Sequence, residues 1–149
     1  MNILFICSGN TCRSPMAEAL LIARIKNKNI QVKSAGISAA NGDPISIEVS
    51  SILQEKKIDY SHRSQRINPE LILWANLILT MTKTQKYLLL AMFPQMAKQI
   101  FTLKEYIGAK ENIDIEDPYG NDLDRYRKSA EEIEKCLNPL LNKLDRVNL

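Results

Sequence analysis

The sequence has little of several features that mark particular classes of protein. Three cysteines, an odd number, argue against a secreted disulfide framework, and a single histidine offers no metal-binding cluster. No apolar stretch approaches the ~20 residues of a membrane span, and the first residues lack the pattern of a signal peptide. The net charge of +3 includes no long basic run, so nucleic acid is not an expected partner. We therefore expect a protein of the reducing cytoplasm, with no membrane association.

The composition is otherwise that of an ordinary globular protein. Hydrophobic residues make up 45% of the 149 residues and charged residues 25%, which predicts one domain over residues 1–149. Apolar runs alternate with amphipathic segments, which favours the α/β class. We expect a doubly wound, single-domain sandwich in which a four-stranded parallel sheet is flanked by helices. The predicted strands are 3–7 and 77–81 in the centre, 31–34 at an edge, and 100–103.

The helices are predicted from their caps and apolar periodicity. We expect Asp43 to cap a helix that runs to about residue 57, and Thr82 or Thr84 to cap one that runs to Phe93. The last helix has the clearest periodicity, and Pro139 should kink it or end it near residue 138. Its recurring apolar positions are Tyr126, Ala130, Ile133, Leu137, Leu140 and Leu144.

The most informative segment is CSGNTCRSP, residues 7–15. It joins the apolar run 3–6 to a predicted helix, and such a junction forms an anion site because free backbone N–H groups and the helix dipole converge there. The segment also carries a thiol at Cys7 and a guanidinium at Arg13. A phosphate bound by this loop would lie against a nucleophile.

The remaining loop residues suit phosphate binding. Gly9 permits a positive φ, and Asn10 tolerates one. Ser14 is the expected N-cap of the helix. The alternative is a plain capped helix after a buried strand, with Cys7 and Cys12 as small core residues. The residues that offer a backbone N–H to the anion are Ser8, Gly9, Asn10, Thr11, Cys12 and Arg13.

Residues 7–18 resemble the active-site signature C-x5-R-S-P-x-A-E of the low-molecular-weight protein tyrosine phosphatases. Further matches span essentially the whole chain in family order, at SAG 34–36, SHR 61–63, LTM 79–81, LKEY 103–106 and DPYG 117–120. The resemblance implies a cysteine-dependent phosphatase of phosphorylated proteins. We expect it to act as a monomer, with no metal or other cofactor.

The resemblance also assigns chemical roles. Cys7 would attack phosphorus as a thiolate and form a cysteinyl-phosphate. Arg13 would hold two phosphate oxygens with its planar fork, and Ser14 would donate its hydroxyl to the sulfur. Asn10 is expected to shape the loop.

Two Asp-Pro pairs compete for the role of general acid. Asp43 precedes an amphipathic helix, where a cap explains it, and Asp117 begins a predicted turn. The resemblance favours Asp117, which would protonate the leaving group and then activate water. Tyr119 would form a wall of the substrate cleft or merely pack.

Other candidate residues have both a structural and a functional interpretation. Cys12 either packs beneath the loop or, as the resemblance suggests, captures Cys7 as a reversible disulfide on oxidation. His62 is expected to make structural hydrogen bonds near the site. Trp74 and Cys136 lie on apolar helical faces and are expected in the core.

Thr11 bears on the substrate. Members directed at phosphotyrosine usually have a larger aliphatic residue here, whereas a threonine resembles the branch that removes phosphate from arginine. A smaller polar side chain leaves room and a hydrogen-bond partner for a guanidinium. Residues 38–41 also lack an aromatic side chain that could sandwich a phenyl ring. The acidic residues Asp114, Glu116, Asp117 and Asp122 would either favour a cationic leaving group or simply be solvated. From these features together we favour phosphoarginine over phosphotyrosine.

Three other functions fit the sequence less well. Arsenate reductases share the fold and loop but need further cysteines in the middle of the chain, and residues 80–93 have none. A phosphocarrier also has a cysteine after its first strand, but Arg13 and Asp117 argue against storage without hydrolysis. A silent phosphoprotein-binding domain would not need this full set of catalytic groups.

Overall fold

The alternation of apolar and amphipathic segments gives the expected α/β fold. The computed structural model describes residues 1–147, and its four strands form one parallel sheet in the order β2-β1-β3-β4. The predicted edge position of the second strand and the central positions of the first and third are confirmed. The strands are Asn2–Cys7 (β1), Gln31–Gly36 (β2), Leu77–Thr80 (β3) and Ile100–Thr102 (β4).

Helices cover both faces of this sheet. Side chains of β1 alternate between two apolar clusters: Ile3 and Phe5 face one cluster, while Leu4 and Ile6 face the other, and all four are fully buried. Burial on both faces is why β1 is continuously apolar in sequence. The helices are Arg13–Ile22 (α1), Ile47–Glu55 (α2), Pro69–Trp74 (α3), Lys83–Met92 (α4), Leu103–Tyr106 (α5) and Leu123–Val147 (α6).

The predicted caps are right for α4 and wrong for α2. Thr82 caps α4 in a capping box with Gln85. The cap of α2 is Ser46, whose hydroxyl accepts from the Val49 N–H, and not Asp43. Asp43 lies before the helix because its backbone pairs with Ser64: its N–H donates to Ser64 Oγ at 2.9 Å.

Pro139 does not end the last helix near residue 138, because α6 continues through it to Val147, and the alternative of a kink stays a prediction. An internal proline removes one backbone hydrogen bond and crowds the preceding turn. The apolar face of the helix is buried on both sides of the proline, at Leu137, Leu140 and Leu144, and this packing maintains the helix.

Candidate active site

The segment of residues 7–13, called here the Cys7 loop, lies at the carboxyl end of the central strand β1. Cys7 is the last residue of β1, and Arg13 is the first residue of α1. The helix therefore begins earlier than predicted: its N-cap is Cys12, whose side chain makes no capping hydrogen bond, and not Ser14. Because α1 already includes Ser14, the hydroxyl of that residue is directed to the thiol instead of to the end of the helix.

Cys7 is buried at the base of the loop, with hydrogen-bonding groups around its sulfur. Its Sγ lies 2.8 Å from Ser14 Oγ and accepts from the backbone N–H of Asn10 at 3.2 Å. Asn10 Nδ2 donates to the same Ser14 oxygen at 2.9 Å, so the single Ser14 hydrogen is left for the sulfur at 2.8 Å or the Ala35 carbonyl at 3.5 Å, and the sulfur is the nearer acceptor. The Asn10 N–H and the Ser14 hydroxyl are thus both placed to donate to a sulfur anion formed during a reaction.

Asn10 connects the loop to two other segments. Its side chain is completely buried, donates to Ser34 Oγ at 3.0 Å and accepts from the Gln65 N–H at 2.9 Å. Its φ of 56° is left-handed, and Gly9, which would also permit a positive φ, does not adopt one. This geometry fits the loop-shaping function expected of Asn10.

His62 supports the loop from outside. Its Nε2 lies 2.8 Å from the Asn10 carbonyl oxygen, and its Nδ1 lies 3.0 Å from the Tyr60 hydroxyl. Burial lowers the pKa of His62, against the opposing effect of the hydrogen bond to Asn10. A neutral ring that donates from Nε2 and accepts at Nδ1 satisfies both contacts, so the expected structural hydrogen bonds near the site are present.

Arg13 and Asp117 meet on one side of the loop. The Arg13 side chain is buried, and its Nη1 donates to the Ile115 carbonyl at 2.8 Å. Its Nη2 lies 3.6 Å from Asp117 Oδ2, and the Asp117 side chain is 55% exposed. The other candidate acid, Asp43, is exposed and does not line the cavity that the Cys7 loop encloses.

The loop encloses a cavity of about 270 Å3. Its wall is completed by Ser38, Asp117 and Tyr119, and Tyr119 is 76% exposed, so it does not pack into the core. A larger groove of about 780 Å3 adjoins the cavity and shares Ser8, Arg13 and Asp117 with it. The groove also contains Asp114 and Glu116, whereas Asp122 lies in neither lining.

Two residues that the sequence analysis did not single out contact this network. Gln85 is buried, and its Nε2 donates to Ser8 Oγ at 3.1 Å. Glu18 has a pKa raised to about 7, because burial outweighs hydrogen bonds from the Ser34 amide and hydroxyl. Gln85 belongs to the capping box of α4, and Glu18 is the last residue of the C-x5-R-S-P-x-A-E signature. Neither motif reveals which distant residue its side chain contacts.

The remaining candidates have mixed outcomes. Cys12 is a buried free thiol whose Sγ lies 3.7 Å from the Tyr126 hydroxyl, which is the arrangement of a residue packed beneath the loop. The disulfide with Cys7 stays a prediction. Cys136 is buried as expected, whereas Trp74 is only partly buried and lies under the Lys33 ammonium. Among residues 1–147, no three histidine, cysteine, aspartate or glutamate residues are grouped so as to hold a metal ion.

The chain resembles known phosphatases along its whole length. A protein-arginine-phosphatase of Geobacillus stearothermophilus is 41% identical over 145 residues, which cover 95% of each chain. The low molecular weight protein-tyrosine-phosphatase PtpB of Staphylococcus aureus is 40% identical over 133 residues, covering 89% of this chain and 91% of PtpB. A solved structure of the YwlE arginine phosphatase, a mutant with a phosphorylated active-site serine, is 37% identical. It has a TM-score of 0.92 and covers 97% of this chain and 96% of its own.

The family model of the low molecular weight phosphotyrosine protein phosphatases matches residues 2–148. With this match, the shared fold and the two relatives of about 40% identity, the resemblance drawn from the signature is confirmed. The chain belongs to the low molecular weight phosphotyrosine protein phosphatase family, whose members are cysteine-dependent phosphatases.

Proposed function

We propose that this phosphatase removes phosphate from arginine side chains of proteins. The observation that carries the proposal is Thr11, which lines the cavity beside Cys7 and Arg13. Its side chain is short and polar, so it leaves space and a hydrogen-bond partner for a guanidinium. The relative from Geobacillus stearothermophilus, named as a protein-arginine-phosphatase, supports the same substrate.

In the proposed reaction, Cys7 Sγ attacks phosphorus and an S–P bond forms while the N–P bond of phosphoarginine breaks. Asp117 protonates the departing guanidine nitrogen, and Arg13 with the loop N–H groups holds the phosphoryl oxygens. Asp117 then accepts a proton from water, which attacks the cysteinyl-phosphate and releases inorganic phosphate and the Cys7 thiolate. Ser14 stabilises the sulfur anion at both steps through its 2.8 Å contact. Ser8, Gly9, Asn10 and Cys12 complete the phosphate site.

Phosphotyrosine is the second candidate substrate. Tyr119 stands exposed at the cavity wall, where its ring is available to stack on a phenyl group. PtpB, which is named as a tyrosine phosphatase, supports this alternative.

The test is kcat/KM on matched phosphoarginine and phosphotyrosine peptides, with Cys7→Ser as the inactive blank and Thr11→Ile beside the wild type. We expect a preference for phosphoarginine that collapses in Thr11→Ile, since the longer aliphatic side chain fills the space of the guanidinium. Wild-type preference for phosphotyrosine would overturn the proposal and make Thr11 incidental.

We place this activity in the cytoplasm, with phosphorylated proteins as partners and the monomer as the active form. Thiol chemistry at Cys7 needs reduced sulfur, which a reducing compartment maintains. Within the part of the chain that the structure describes, no helix has the length and apolar character to cross a membrane.

A further inference from the structure

The side-chain amide of Gln85 is held in a single orientation. The backbone N–H groups of Met81 and Thr82 both donate to its Oε1, each at 3.0 Å. Only the amide oxygen can accept these two bonds, because the NH2 group has hydrogens and no acceptor capacity. The position of the amide nitrogen is therefore fixed by the backbone of the β3–α4 turn.

This orientation makes the Ser8 hydroxyl an acceptor towards Gln85. Gln85 Nε2 donates to Ser8 Oγ at 3.1 Å, so Ser8 must act as acceptor in that contact. The Ser8 hydroxyl makes no other hydrogen bond among residues 1–147, and its own hydrogen remains available. Ser8 is exposed and lines both the cavity of the Cys7 loop and the adjoining groove.

We infer that Gln85 is a positioning residue that presents the Ser8 hydroxyl hydrogen to an oxygen of the bound phosphoryl group. The inference rests on the proposed function, since it adds a side-chain donor to the phosphate site of that reaction. A hydroxyl that donates to a phosphate oxygen forms a charge-assisted hydrogen bond, stronger than a neutral one. The cap of α4 and the phosphate site are thereby joined through one buried amide.

The test is a double-mutant cycle on the affinity for inorganic phosphate, measured by isothermal titration calorimetry. Ser8→Ala removes the donor and should weaken phosphate binding about tenfold, the effect of one hydrogen bond to a charged group. Gln85→Glu retains oxygen acceptors for Met81 and Thr82 but replaces the NH2 donor with an acceptor. The Ser8 hydrogen then turns to the carboxylate and away from the phosphate.

In the wild-type background, Gln85→Glu should weaken phosphate binding by a similar factor. In the Ser8→Ala background the loss should be several-fold smaller, because only the negative charge of the new glutamate then acts on the phosphate. Ser8→Thr, which retains the hydroxyl, should bind phosphate more tightly than Ser8→Ala. The melting temperature of each variant reports on folding. Equal losses from Gln85→Glu in both backgrounds, or wild-type affinity in Ser8→Ala, would overturn the inference. The cycle needs no turnover, so absence of phosphopeptide hydrolysis by the wild type would count against the proposed function alone.

Discussion

Arg13 and Asp117 approach to 3.6 Å between Nη2 and Oδ2, with the guanidinium buried and the carboxylate more than half exposed. The guanidinium is also anchored on the Ile115 carbonyl, so it cannot follow Asp117 outward. A bound phosphoryl group would take the place of Asp117 at this guanidinium. Binding of substrate would thus release the carboxyl group for the departing side chain.

This competition gives a prediction for Asp117→Asn. The substitution removes the anion that competes for Arg13, so inorganic phosphate should bind as tightly as in the wild type or more tightly. Turnover should fall by about 10²–10⁴-fold, the usual range for loss of a general acid. Steady-state kinetics and phosphate titration check the two effects. Asp43→Asn, a change at the exposed rival aspartate, should leave both nearly unchanged, and a loss of turnover there would reverse the assignment.

Ser14→Ala should lower kcat by about tenfold or more, because the sulfur loses a donor both as nucleophile and as leaving group. Pre-steady-state kinetics should show the covalent intermediate decaying more slowly. A matched control is Ser64→Ala, since Ser64 is also buried and hydrogen-bonded, to Ala40 and Asp43, away from the sulfur. Similar losses of kcat in the two variants would show that Ser14 acts only through packing.

Gly36→Ala should damage the site through its backbone. A Cβ at Gly36 would lie 2.5 Å from the Ser8 carbonyl oxygen and 3.0 Å from the Asn10 nitrogen, so the Cys7 loop must shift. We expect a loss of about 1–3 kcal/mol in unfolding free energy, typical of overpacking, and a loss of phosphate binding. Urea unfolding and phosphate titration measure these effects. Gly9→Ala is the control for stability, because its Cβ would meet nothing closer than 3.8 Å.

The raised pKa of Glu18 predicts a component of stability that is lost between about pH 4.5 and pH 7. Its pKa of about 7 in the folded protein exceeds the ordinary value of 4.5, so between these values the folded state binds more protons than the unfolded state. This contribution is complete below about pH 4.5 and lost as the pH rises through 7. Glu18→Gln should raise the unfolding free energy at pH 8 relative to the wild type, by an amount on the order of 2 kcal/mol.

The measurement is urea unfolding of both proteins from pH 5 to 8. The difference between the two curves of unfolding free energy against pH isolates the contribution of Glu18, because His62 is present in both proteins. The lowered pKa of His62 makes the unfolding free energy rise with pH below about pH 6.5, opposite to the effect of Glu18. A constant difference across this range would contradict the prediction.

The central positions of β1 and β3, the edge position of β2 and the loop after β1 were predictable because they depend on local patterns: continuous apolar runs, a more alternating strand and a polar junction. The start of α1 was not predictable, because Ser14 is a good cap by residue type, whereas in the fold its hydroxyl contacts Cys7, Asn10 and Ala35. Gln85 reaches Ser8 because β3 lies beside β1, a proximity that the capping-box pattern does not encode. The contact of Glu18 with Ser34 likewise depends on how α1 packs on β2.

Asn10 forms buried hydrogen bonds to Ser14, Ser34 and Gln65, and these make the shape of the Cys7 loop independent of the side chain at position 11. They fix the shape of the loop without using the side chain of Thr11, whose only polar side-chain contact among residues 1–147 is with Cys12 Sγ at 3.8 Å. The conformational entropy of the loop is therefore lost on folding and not on binding. We therefore expect substitutions at position 11 to change the preferred substrate of this scaffold without disturbing its phosphate chemistry.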